Sequence, residues 1–157
     1  MLSRLWKKTT RHKKSLQENS GSYKMIIDTN IYSALDRGDP RVVSILQSSI
    51  TIMLPLCVLG ELHYGFILGA RADLNKQRLS TFMSLDFVDV LRSTSKTAEI
   101  YGELAFVCRK RGWVLSNNDL WIASLAIEYD VPLVTYDKDF SALSSRLGDN
   151  LILLDTN

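Results

Sequence analysis

Apolar residues along this chain fall into short runs separated by longer mixed stretches. Residues 23–28 are largely apolar, carry the β-branched pair Ile26-Ile27 and stop at a polar cluster, which predicts a first strand. Residues 30–36 predict a short helix broken at Gly38-Asp39-Pro40; Asp39 then caps and Pro40 opens a helix over 40–48. Residues 50–54 predict a second strand, 55–69 and 73–84 two helices, and 87–91 a third strand. Thr94 or Ser95 caps a long helix that runs to Arg111 and stops at Gly112. A helix over 118–129, a fourth strand over 132–135 and a fifth over 151–154 complete the chain, with Asp137 in the turn before the last helical stretch.

Short apolar strands alternating with longer helices predict an α/β fold around a buried parallel sheet. The sequence has 157 residues, enough for one core, and shows no internal repeat and no linker that would split 25–157. Its longest apolar stretch, 50–60, is interrupted by Thr51 and Pro55 and is shorter than the roughly 20 residues of a membrane-spanning helix.

Charge divides the chain. Residues 1–24 carry seven of the 19 basic residues and one of the 17 acids, a local charge of +6 that leaves the rest at −4. This segment has too few apolar residues to offset the entropy of ordering it and lacks the apolar centre of a secretory signal, so a basic, disordered extension is expected. Met25 stands directly before the first strand and is the expected start of the domain, which spans 25–157; the alternative is that the basic segment is a nucleic-acid arm. Cys57 and Cys108 fall in predicted helices and belong to no CxxC pair. Free thiols in a reducing cytoplasm are expected, with no thiolate zinc site.

In parallel α/β folds, ligands bind beyond the carboxyl ends of the strands. Asp28 ends the first strand in IIDTN, and Asp137 follows the fourth in LVTYDKDF. Glu61 lies in the helix after the second strand, and Asp119 opens a helix in SNNDLWIAS. Clustered carboxylates repel one another until they bind protons or a cation, and a hard divalent ion suits their oxygen donors. Such an ion also acidifies bound water and clamps a phosphate oxygen. Each acid also has a plain structural use. Asp28 suits an Asx-turn, Asp119 the first turn of a helix behind an Asn118 cap, Asp137 a turn, and Glu61 a solvated helix face. Spacing alone leaves both uses open.

The strings MIIDTNIYSAL, GEL, NDLWIAS and PLVTYDKDF, in this order and at these intervals, resemble a PIN-domain protein, and most nearly the VapC toxins of type II toxin–antitoxin pairs. The resemblance covers about residues 25–157. It implies a three-layer α/β sandwich with a parallel sheet of about five strands flanked by helices, and a Mg²⁺- or Mn²⁺-dependent endoribonuclease. It maps the catalytic acids to Asp28, Glu61, Asp119 and Asp137, with Asp28, Asp119 and Asp137 as metal ligands and Asp139 a competitor for the fourth place. Polar helpers map to Thr29 and Asn30, and Thr135 and Asn118 are further candidates for supporting the acids. The implied partners are RNA, a second copy of the chain, and a small VapB-type antitoxin whose helix covers a groove near the site.

Cations for the RNA backbone are expected from Arg37, Arg41, Arg109, Lys110 and Arg111. Trp113 suits either a base stack or the core, and the basic run suits either RNA or the helix dipole. The helix over 55–69 and the one after it carry many apolar side chains, for the core or for a partner. His12 and His63 are read as structural or solvated. Two other readings stay open: a PIN nuclease of RNA processing without an antitoxin, and a catalytically silent binding module. An Asp-based phosphotransferase is disfavoured, because Thr29-Asn30 follows Asp28 where a DxD pattern is wanted.

Overall fold

The structure, a computed structural model, describes residues 23–47, 49 and 51–155. The expectation for the basic segment therefore falls almost entirely outside the described residues. Five strands form one sheet: β1 (Lys24–Ile27), β2 (Thr51–Pro55), β3 (Val88–Leu91), β4 (Leu133–Thr135) and β5 (Leu151–Leu153). Every pairing is parallel and the order is β3-β2-β1-β4-β5. Seven α-helices flank it among the described residues: α1 (Thr29–Arg37), α2 (Pro40–Gln47), α3 (Leu56–Leu68), α4 (Ala72–Met83), α5 (Ser95–Arg111), α6 (Asn117–Tyr129) and α7 (Ser144–Leu147). The expected α/β sandwich is the observed one.

Burial explains the composition of the strands. In β1, Ile26 and Ile27 are fully buried, as a central strand covered on both faces requires. Ile26 pairs with Met53 of β2 on one side and Leu133 of β4 on the other. β3 lies at the edge, and there Asp89 and Val90 are exposed between buried Val88 and Leu91. The chain moves outward from β1 through β2 to β3, then returns to β4 on the far side of β1. The turn after β1 and the turn after β4 therefore diverge side by side, at the switch point where parallel sheets place their ligands.

Local signals set the helix ends. Gly38 takes a left-handed conformation (φ 81°) and closes α1 on the carbonyls of Ala34 and Leu35. Thr94 and Thr97 form a reciprocal capping box at the start of α5. Both oxygens of Glu128 accept from these two threonines, which ties α6 to the beginning of α5.

Three expectations are refined. Ser116, not Asn118, caps α6, because Ser116 and Asp119 form the reciprocal box and free Asn118 for other work. Between β4 and β5 the chain runs through 3-10 turns, Lys138–Leu143 and Gly148–Asn150, on either side of α7. The apolar surplus of α3 divides: Val58, Leu59 and Leu62 enter the core, whereas Tyr64, Ile67 and Leu68 are 67%, 68% and 70% exposed. Cys108 is buried and Cys57 half-buried, both as free thiols. No helix among the described residues is long and apolar enough to cross a membrane.

Phe140 is fully buried in the 3-10 turn just beyond Asp137. Phe140→Ala is expected to lose about 3–5 kcal/mol of stability in equilibrium urea unfolding. A loss below about 1 kcal/mol would mean that this turn is not anchored in the core.

Candidate active site

Asp28 follows β1 directly, and its backbone N–H donates to the Val134 carbonyl (3.2 Å), so β1 and β4 still touch where the carboxylate projects. It also caps α1: its side chain accepts from the Thr29 N–H at 2.6 Å. Its other oxygen accepts from Asn30 Nδ2 at 2.6 Å and from the Thr135 hydroxyl at 2.7 Å. Asp28 stands at the strand end as expected, and its local role is a helix cap rather than the expected Asx-turn, since it accepts from the N–H one residue on, not two. Asp28 is 5% exposed. Burial raises its pKa above the usual carboxylate value, the donors of Thr135 and Thr29 oppose that rise, and the charges of Asp119 and Glu61 add to it.

Glu61 reaches the same edge from the second turn of α3 and is half-buried. One of its oxygens accepts from the Thr29 hydroxyl, and the other from Asn118 Nδ2 at 2.6 Å. A solvated helix glutamate would have neither partner. The carboxylate is clamped between α1 and α6, and Asn118, no longer needed as a cap, supplies one jaw.

Asp119 lies in the first turn of α6, where its Oδ2 accepts from the Ser116 N–H at 2.9 Å. Burial raises its pKa, hydrogen bonds from Ser116 oppose the rise, and the charges of Asp137 and Glu61 add to it. Asp137 caps the 3-10 turn after β4 by accepting from the Asp139 N–H at 2.9 Å. Its own N–H donates to the Thr135 hydroxyl at 2.9 Å. Asp139 is exposed, and the charge of half-buried Asp137 acts on Asp119.

These contacts place Asp28, Glu61, Asp119 and Asp137 at one edge of the sheet; Thr29, Asn30, Asn118 and Thr135 donate to Asp28 and Glu61, while Asp119 and Asp137 accept from the backbone N–H groups of Ser116 and Asp139. Each carboxylate is engaged by its own hydrogen-bond donors. No three His, Cys, Asp or Glu side chains among the described residues are gathered closely enough to grip a metal ion. The donor set nevertheless suits a hard cation: it is all carboxylate oxygen, and Asp28 and Asp119 each feel the repulsion of neighbouring acids, which a positive charge would relieve.

The candidate cations divide. Arg37 and Arg41 line a cavity that includes Asn30. Arg109, Lys110 and Arg111 are exposed at the end of α5, where Lys110 lies 5.1 Å from the Phe106 ring centre and Arg111 4.8 Å from that of half-buried Trp113. His63 is exposed and makes an edge contact with Phe66. Two residues escaped the reading of the sequence. Ser116 was legible in the pattern Ser116-x-x-Asp119, which is a capping-box signature. Tyr136, whose N–H donates to Asn30 Oδ1 at 3.1 Å, had no periodic signal to betray it.

Comparison with known proteins matches the PIN domain to residues 25–145. The chain is 31% identical over 130 residues to Ribonuclease VapC2 of Rickettsia felis, covering 80% of this chain and 96% of that protein. It is 27% identical over 127 residues to Ribonuclease VapC5 of Mycobacterium tuberculosis, covering 81% and 93%. Among solved structures it resembles VapBC2 from Rickettsia felis bound to a DNA fragment from their promoter, with a TM-score of 0.70 and 29% identity over 84% of this chain and 98% of that one. A carboxylate-rich switch point on a β3-β2-β1-β4-β5 sheet, in a chain with these relatives, leads to one assignment: this protein belongs to the PIN-domain family, among relatives of the VapC type.

Proposed function

We propose that this protein is a Mg²⁺- or Mn²⁺-dependent endoribonuclease, the toxin of a cytoplasmic type II toxin–antitoxin pair. The observation that carries the reading is the clamped acid cluster at the switch point, in a chain similar to proteins named ribonucleases. Residues 25–157 form the catalytic domain, with the basic segment before it outside the catalytic unit.

Asp28, Asp119 and Asp137 would hold the metal, which when bound supplies an acidified water and a counter-charge to the phosphate oxygens. Thr29 and Asn118 hold the two oxygens of Glu61, so its carboxylate keeps one orientation at no cost when substrate arrives. Glu61 orients the attacking water and takes its proton. The water oxygen bonds to phosphorus as the bond to the 3′ oxygen breaks; that oxygen takes a proton from solvent water, and Glu61 returns its proton to solvent. The products are a 5′-phosphate and a 3′-hydroxyl. Asn30 and Thr135 fix the orientation of Asp28, and the Thr135 hydrogen bond opposes the rise in its pKa that burial causes.

The structural neighbour determined as VapBC2 suggests the partner, a small VapB-type antitoxin. The exposed apolar residues Tyr64, Ile67 and Leu68 of α3 support both an antitoxin helix and a second copy of the chain as occupants of that surface.

Purified protein freed of any partner is expected to cut cellular RNA in Mg²⁺ or Mn²⁺ and to stop in EDTA. Asp28→Asn and Asp119→Asn should each lose more than about 100-fold in rate while keeping the native circular dichroism, and Asn118→Ala about 10–100-fold. Full activity in both Asn variants would sink the assignment. A folded protein that neither cuts RNA nor binds divalent ions would be a silent binding module.

Electrostatics gives a second expectation. Because the folded-state pKa of Asp119 is raised, the native state binds more protons than the unfolded chain between the two values, and stability falls as pH rises through that window. Asp119→Asn keeps an oxygen for the Ser116 N–H but has no charge. In EDTA it should melt above the wild type at pH 7, with the gap narrowing as pH falls toward the ordinary aspartate value. A variant less stable than the wild type at pH 7 would contradict the raised pKa.

A further inference from the structure

The cavity lined by Arg37 and Arg41 opens beside the acids. It holds about 470 Å³ and is lined by Asn30, Ser33, Arg37, Asp39, Arg41 and Tyr136 among others. That volume is in the range of small-ligand sites, roughly 300–1,000 Å³. Asn30 is the wall shared with the acid cluster: its Nδ2 donates to Asp28 at 2.6 Å, and its Oδ1 accepts from the Tyr136 N–H at 3.1 Å. A larger cleft of about 580 Å³, bounded by Pro40, Ser44, Ile45, Leu154 and Asp155, shares only Arg41 with this one and touches none of the donors to the acids.

The far wall is braced. The Tyr136 hydroxyl donates to Asp39 Oδ2 at 3.0 Å, and Arg41 donates to the same carboxylate, forming a salt bridge at 3.2 Å. The Arg41 guanidinium lies 5.8 Å from the Tyr136 ring centre, and another of its nitrogens donates to the Asp155 carbonyl at 2.9 Å. Hydrogen bonds from Arg41 hold the Asp39 carboxyl down at about 2, so this brace stays ionised at neutral pH. Arg37 differs. It is exposed, it lines the cavity, and among the described residues no hydrogen bond or salt bridge engages its side chain.

An acid cluster repels a phosphodiester, so a strand entering it needs cationic and stacking contacts one nucleotide away. We propose that this cavity receives the nucleotide adjoining the scissile phosphate, with Arg37 meeting that nucleotide's phosphate and the base lying against the Tyr136 ring. Asp39 and Arg41 are positioning residues that hold the ring. The proposal rests on the reading of the acids as an RNA-cleaving site, and its test separates the two.

The probe is a fluorescein-labelled single-stranded RNA of mixed sequence, bound to the full chain in EDTA and followed by anisotropy across a salt series. Arg37→Ala should weaken binding about tenfold and lower the slope of log affinity against log salt by about 0.7, the share of one phosphate contact on a single strand. Arg37→Lys should restore the slope. Tyr136→Ala should weaken binding about tenfold or more through lost stacking, with the slope unchanged and the melting temperature checked alongside. A merely structural role would not produce that split. Wild-type affinity and slope in both Ala variants, or no RNA binding by the wild type, would overturn the proposal. Metal-dependent cleavage by the same preparation keeps the two ideas apart. Cleavage with unaffected variants removes the cavity alone, and weakened variants without wild-type cleavage remove the nuclease alone.

Discussion

Burial of Asp28 at the end of a central strand takes a carboxylate out of water, and its surroundings answer with donors. The Thr29 N–H, the Asn30 amide and the Thr135 hydroxyl all point at it. Those donors are not independent additions. Thr29 also grips Glu61, Asn30 also receives the Tyr136 N–H, and Thr135 also receives the Asp137 N–H. One buried charge therefore organises α1, the start of the turn after β4 and, through Glu61, α3. The parallel sheet makes this possible, because only at the switch point do the turns after β1 and β4 part with a carboxylate between them.

The arrangement costs stability. Two of the acids have pKa values raised chiefly by burial, with a smaller push from neighbouring carboxylates, so their charged forms are held where water would stabilise them better. Caps and clamps offset part of that cost. Asp119 is fixed by Ser116, and Asn118 is directed at Glu61, so α6 delivers one acid and orients another within a single turn. A divalent cation would complete the offset, which links the electrostatics of the fold to the proposed activity.

Much of this was legible in the sequence. The run Ile26-Ile27-Asp28 marks a buried strand ending in an acid, and strand–helix alternation gives the parallel sheet that brings such ends to one edge. Asp137 was placed because a short apolar strand precedes it. What stayed hidden was contact between distant residues. Nothing local says that Asn118 donates to a glutamate 57 positions away, or that Tyr136 braces itself on Asp39. Nor does periodicity divide α3 into a buried first half and an apolar exposed end, since its side chains are apolar on nearly every face. The cap at Ser116 was visible as a motif but was masked by the neighbouring asparagines, which cap helices equally well.

The central claim is that Asp28, Asp119 and Asp137 hold a divalent cation, with Glu61 beside it. Calorimetric titration of Mn²⁺ into the partner-free protein, beside Asp28→Asn and Asp119→Asn, tests it most directly, because it needs neither substrate nor turnover. The account predicts saturable binding by the wild type and its loss, or a weakening of more than about 100-fold, in each variant. Wild-type affinity in the variants, or no binding by any of the three, would contradict it.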